Sequence, residues 1–245
     1  MGLIVARTAN RALLAQIALT LARDTGTRLD TTRQDDCIAQ ALDEFNRRRP
    51  RRIATASASC PTGNGTARID ISTAIPTYLP GFSRALSLEY PIDQDPESFV
   101  DHKSWTVDDE LLLLKTTGGV IASGAKYRLR HTTPHTVKDF PDTGGSTTLT
   151  AADFEALGLL VAVYFCEALA STYANTVDTL VNADVVNNRT KTQEYEGRAR
   201  NLRARFEERM TAPPASQAPA SSFASLDVAA SDGAPYLADW PSAAA

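Results

Sequence analysis

Five groups of residues in this 245-residue chain have types that could do chemistry. Two Asp-Thr-Gly triplets, Asp24-Thr25-Gly26 and Asp142-Thr143-Gly144, have the composition of a carboxylate dyad, in which two acids close together share one proton. That chemistry needs an apolar strand leading into each triplet. Arg23 precedes one and Pro141 the other, so a helix end and a polar turn account for both. The stretch GFSRA, Gly81 to Ala85, comes close to a serine nucleophile elbow but lacks the final glycine, and the residues after it read as a strand. His131 and His135 have the spacing of a metal pair only on a helix, which Pro134 between them opposes. Neither a Walker loop nor G-x-G-x-x-G is present. The reading is therefore of a chain without catalytic, cofactor-binding or metal-ligating residues.

Cys37, Cys60 and Cys166 are odd in number, widely spaced and outside any C-x-x-C pattern, which disfavours a disulfide framework or a zinc site. Cys37 and Cys166 fall in apolar helical patterns and read as small hydrophobes. The densest basic cluster is RRRPRR, with Arg47, Arg48, Arg49, Arg51 and Arg52. Such a cluster can dock on phosphate or on an acidic partner, or can simply be cations at a helix C-terminus. Overall charge is −4, which does not favour a general nucleic-acid or anionic-membrane binder.

The elements that would position these groups follow from periodicity. The first residues resemble a signal peptide in outline, but Arg7 and Arg11 interrupt the apolar stretch, so an amphipathic helix in a protein that stays where it is made is expected. That helix runs over 9–23, with Leu13, Leu14, Ile17, Ala18 and Leu21 on one stripe and Gly26 as its stop. A second begins after Asp30-Thr31-Thr32, with Thr32 and Asp35 as the capping pair. It buries Ile38, Ala41, Leu42 and Phe45, and ends at Pro50.

From residue 51 the texture becomes strand-like. RIATASASC and TARIDIS flank the turn residues PTGNG and read as a hairpin, followed by RALSLEY, SWTV, ELLLLK, GVIASG and KYRLRHT. Helix returns with Thr150 and Asp153 as a capping pair. Its face of Phe154, Leu157, Val161, Tyr164, Phe165 and Ala168 is wide enough for the centre of the fold.

The last helix, about 184–211, has a narrow stripe of Val185, Tyr195, Ala199, Leu202 and Phe206 on an otherwise charged surface, with Glu194–Arg198 and Glu196–Arg200 as favourable pairs. Between residues 189 and 210, seven basic and four acidic residues give +3, leaving −7 on the rest of the chain. A basic helix on an acidic body suits contact with an acidic neighbour, including another copy. Residues 212–245 are rich in Ala, Ser and Pro, with Phe223, Leu226, Val228, Tyr236, Leu237 and Trp240 spaced as isolated anchors, and suit an arm that orders on a partner.

The expected fold is α+β. Residues 1–50 and 148–211 form one helical domain of two N-terminal and two long C-terminal helices, 51–147 a central antiparallel β insert, and 212–245 an extended C-terminal arm.

This order of elements, with LTAADFEALGLLVAVYFCEALASTYA followed by VVNNRTKTQEYEGRARNLRARFEERM, resembles the head-to-tail connector, or adaptor, proteins of tailed bacteriophages. The segment LSLEYPIDQDPESFVDHKSWTV is similar in texture to phage neck and head-completion proteins. These stretches cover about 30% of the chain. The resemblance implies a virion structural protein of the neck, made in the host cytoplasm. Its copies would form a dodecameric ring under the portal protein and meet a tail-side stopper or tail terminator, with no membrane contact. DNA would pass through without specific binding, since an acidic body repels phosphate. It also implies a portal or subunit interface on Arg198, Arg200, Arg203, Phe206, Phe223, Leu226, Tyr236, Leu237 and Trp240, with charge docking on the Arg47–Arg52 cluster. The alternatives are another neck or tail-completion protein, a hydrolase built on Ser83 or a carboxylate pair, and a nucleic-acid-binding accessory factor.

Overall fold

The computed structural model describes residues 9–24, 28–55, 57–61, 63–94, 97–108, 110–121, 124–175 and 184–211. The fold is α+β, with helices at both ends of the described chain and antiparallel sheets between them.

Helix α1 (Arg11–Ala22) is capped by Asn10, whose side chain accepts from the Leu13 amide. It ends at Arg23 in the left-handed conformation (φ 55°), so the stop comes ahead of Gly26, which lies outside the described residues. Helix α2 (Thr31–Arg48) is capped by Asp30, which accepts from the Arg33 amide. The expected Thr32–Asp35 cap is thus displaced by two residues, and Asp35 instead pairs with Arg11 of α1 at 2.7 Å. With Asp30 as the cap, Asp35 is the fifth residue of α2, past its first turn, and so cannot take the reciprocal capping role that the Thr32–Asp35 spacing suggested.

The central helix α4 (Ala151–Asn175) is capped as expected: Thr150 Oγ1 accepts from the Asp153 amide at 3.2 Å and donates to the Asp153 carboxylate at 2.8 Å. A short helix, α3 (Ile71–Ala74), precedes it in the chain, and α5 (Asp184–Thr211) follows it. Helices α1, α2 and α5 all pack on α4. By length and composition α4 could cross a membrane, but most of its surface is buried by these neighbours.

Gly158 lies at a close approach of α1 to α4: a Cβ built there would lie 3.1 Å from Ile17 Cγ2. Gly158→Leu should therefore overpack this contact and lower stability by about 1–3 kcal/mol, read as a lower midpoint in urea unfolding.

Among the described residues seven strands form two sheets. Strand β7 (Lys126–Thr133) is the centre of one. It pairs antiparallel with β1 (Arg51–Ala54) and β4 (Ala85–Glu89), which share residues 130 and 131 and so lie on its opposite edges, and also with β2 (Ala58–Ser59). The second sheet has β6 (Leu111–Ile121) between β3 (Gly63–Asp70) and β5 (Trp105–Asp108).

Two expectations are corrected here. RIATASASC and TARIDIS do not form a hairpin: the first supplies β1 and β2 to one sheet and the second supplies β3 to the other. ELLLLK and GVI are one continuous strand, β6.

Tyr127, Leu129 and His131 alternate inward along β7 and join Ile69, Leu112, Leu114 and Leu88 in a core between the sheets. The helices enclose a separate core around Leu14, Ile38, Phe45, Leu160, Phe165 and Phe206.

The stretch 134–149 links the two. Val137, Phe140 and Leu149 pack with the helical core, and the Arg11 amide donates to the Lys138 carbonyl at 2.9 Å. Asn46 of α2 completes the tie, accepting from the His135 amide at 2.8 Å.

Candidate functional site: an arginine-lined cleft

The basic cluster is built by the end of α2 and the start of β1. Arg49 leaves the helix and Pro50, which cannot donate, turns the chain into the sheet. The five arginines face different environments. Arg47 reaches back to Asp43 at 2.7 Å and is exposed. Arg48 bonds Glu44 at 2.7 Å and Glu207 of α5 at 2.5 Å, and its guanidinium lies over the Phe206 ring. Arg49 is drawn inward, donating to the buried Asp153 at 2.8 Å and to the Met210 carbonyl at 3.0 Å. Arg51 and Arg52 are exposed on β1. Arg48 and Arg49 therefore join α2 to α5 and α4, a structural task that a count of charges does not reveal.

A cleft of about 1010 Å³ opens beside this cluster. Arg47, Arg48, Arg49 and Arg52 line one side and Phe82, Arg84 and Leu86 the other, with Met210 and Thr211 at the end of α5. The floor is the outer face of the β7 sheet. Arg52 is the register partner of Thr132, and Thr132 accepts from the Arg84 amide at 2.8 Å and donates its own amide to the Arg84 carbonyl at 3.0 Å. Three of the lining guanidinium groups bond carboxylates of this chain, whereas Arg84 is exposed and makes no ion pair among the described residues. The cleft is thus amphipathic, with a charged wall and an apolar rim.

On α5 the expected interface residues divide. Arg198 bonds Glu194 at 2.7 Å and the Ala22 carbonyl at the end of α1 at 2.7 Å. Arg203 bonds Glu44 at 3.2 Å and lies over the Tyr164 ring. Phe206 is 0% exposed within the helical core, which overturns its placement on a partner surface. The narrow stripe of α5 is the seam with α4, because a helix with one apolar stripe beside a helix that is apolar all round buries that stripe first. Arg200 remains exposed, and its expected pair with Glu196 does not form among the described residues. Phe223, Leu226, Tyr236, Leu237 and Trp240 lie outside the described residues.

The other candidates are distributed through the two cores. Asp24, after the α1 cap, faces Tyr195 of α5, while Asp142 is exposed in the 139–145 turn. Ser83 is tied into its own turn, accepting from the Leu79 amide at 2.9 Å. A cavity of about 500 Å³ gathers Ser83, His102 and Trp105 without a carboxylate among its described lining residues. Among the described residues no group of three or more His, Cys, Asp or Glu could hold a metal. Burial pushes the Cys37, Cys60 and Cys166 thiols up to about 11, which leaves them protonated and poor nucleophiles at neutral pH.

His131 lies against Tyr78 with Thr77 Oγ1 3.1 Å from its Nε2, and His135 meets the Phe45 ring edge-on, with its Nδ1 3.3 Å from Thr148 Oγ1. Desolvation holds both imidazoles below the ordinary histidine value. The unfolded chain then binds protons that the folded chain resists. Stability is full above about pH 6.5 and falls as pH drops below it toward the depressed folded values. The expected result is a urea midpoint lower at about pH 5.5 than at about pH 7.5, with the difference reduced in His131→Gln.

No protein-family model matches the chain, and no curated protein matches it.

Proposed function

We propose that this chain is a structural protein of the tailed-phage neck, an adaptor whose copies form a ring beneath the portal and extend the DNA channel toward the tail. The observation that carries the reading is the order of elements. Two N-terminal helices and two long C-terminal helices share one core, antiparallel sheets are inserted between them, and the chain leaves the end of α5 toward a long Ala/Ser/Pro-rich segment with spaced aromatic anchors. This is the pattern on which the resemblance to connector proteins rests. With Arg198, Arg203 and Phe206 engaged within the chain, the proposed contact surface reduces to Arg200, the exposed Arg51, and residues 212–245. DNA would pass the acidic body without specific contacts.

Light scattering on the purified chain, alone and mixed with a candidate portal protein, tests this. A ring mass, or a monomer that becomes a ring on the portal, supports the reading. A monomer that ignores the portal overturns it. Deleting residues 212–245 should leave the helical circular-dichroism signal of the remaining chain unchanged while weakening portal binding at least tenfold, about 1.4 kcal/mol.

A further inference from the structure

We infer that the arginine-lined cleft is a docking groove for an extended acidic segment, and that in the free chain its occupant is the chain's own stretch from Asp227 to Trp240. This inference does not rest on the neck reading.

Three observations carry it. The first is position: Met210 and Thr211 line the cleft, so the polypeptide continues from inside the groove rather than from a distant surface. The second is charge. Residues 212–245 contain Asp227, Asp232 and Asp239 and no lysine or arginine, while the cleft presents Arg84 with no ion pair among the described residues beside Arg47, whose exposed pair with Asp43 is weak enough to exchange. The third is the apolar rim. Phe82 and Leu86 stand on the wall carrying Arg84, and Leu86 is 36% exposed, a seat for Tyr236, Leu237 or Trp240.

Chain length permits the return. The 15 residues between Thr211 and Asp227 are enough, at an average span of about 20 Å for a chain of that length, to turn back into the groove at little closure entropy. A groove that pairs arginine with an apolar rim selects acidic peptide with aromatic anchors over bare phosphate, which could use the cations but not the rim.

The test uses the full chain with two nitroxide labels, one on Ser231→Cys and one on Leu86→Cys, and the distance between them measured by pulsed electron resonance. The three native cysteines are buried and do not compete for label. The expected result is a narrow short-distance population, lost in Arg84→Glu and in the triple change Asp227→Asn, Asp232→Asn, Asp239→Asn. A broad distribution in the parent chain overturns the inference. So does a short distance that appears only when singly labelled chains are mixed, since the occupant would then be a neighbour. Asp43→Cys, on the opposite wall, replaces the Leu86 label to exclude an effect of that substitution and must give the same outcome.

Discussion

Phe206→Ala should lower the stability of the isolated chain by about 3–5 kcal/mol, as expected for removing a fully buried aromatic ring. Phe206 is 0% exposed and lies on the same stripe of α5 as Ala199 and Leu202, all three packed into the helical core. The Arg48 guanidinium covers its ring at 5.3 Å and is itself held by Glu44 and Glu207, so the helices cannot close over the vacated space without breaking those contacts. A residual cavity is therefore expected, which places the cost toward the upper end. Urea unfolding of the purified chain measures it. Arg200→Ala is the matched control on the same helix: exposed and outside any ion pair among the described residues, it should stay within about 0.5 kcal/mol. A stable Phe206→Ala monomer that fails only in assembly would return Phe206 to a partner surface.

That contrast shows where local sequence is informative. Periodicity located α1, α2, α4 and α5, because each buries a stripe whose spacing is written within the element itself. The Thr150–Asp153 cap was legible for the same reason, since both partners lie within one turn. Strand stretches were legible as well, but their partners were not. PTGNG carries good turn residues, yet its last three open β3, and β2 before it and β3 itself pair with β7 and β6, each dozens of residues away. Turn chemistry favours a hairpin only where the flanking strands have no better edge to join, and β7 and β6 each offered one. The arginines of RRRPRR were visible as a cluster, but the division of labour among them depends on Asp153, Glu207 and Met210, which the fold brings from the far end of the chain. Nothing in the sequence distinguishes Arg49 from Arg47.

That distinction carries the second large effect: Asp153→Asn should cost about 3–5 kcal/mol, while Asp43→Asn should cost less than about 1 kcal/mol. Both aspartates accept from an arginine of the same cluster at nearly equal distances, 2.8 Å and 2.7 Å. Burial separates them. The Arg49 and Asp153 side chains are 16% and 8% exposed, against 73% and 58% for Arg47 and Asp43. Water screens the outer pair and solvates either member once the other is gone. Removing the Asp153 charge takes the facing carboxylate from the Arg49 guanidinium in a poorly hydrated position, where the neutral Met210 carbonyl remains its acceptor, and it also weakens the Thr150 hydroxyl contact at the start of α4. Much of the loss is thus the penalty on the partner left behind. The double change Arg49→Leu, Asp153→Leu should recover more than half of it, because an apolar pair carries no stranded charge. Urea midpoints of the two single changes and the double change separate the terms. Equal losses for Asp153→Asn and Asp43→Asn would show that the arginine cluster is solvated throughout and that Arg49 does not tie α2 to α4.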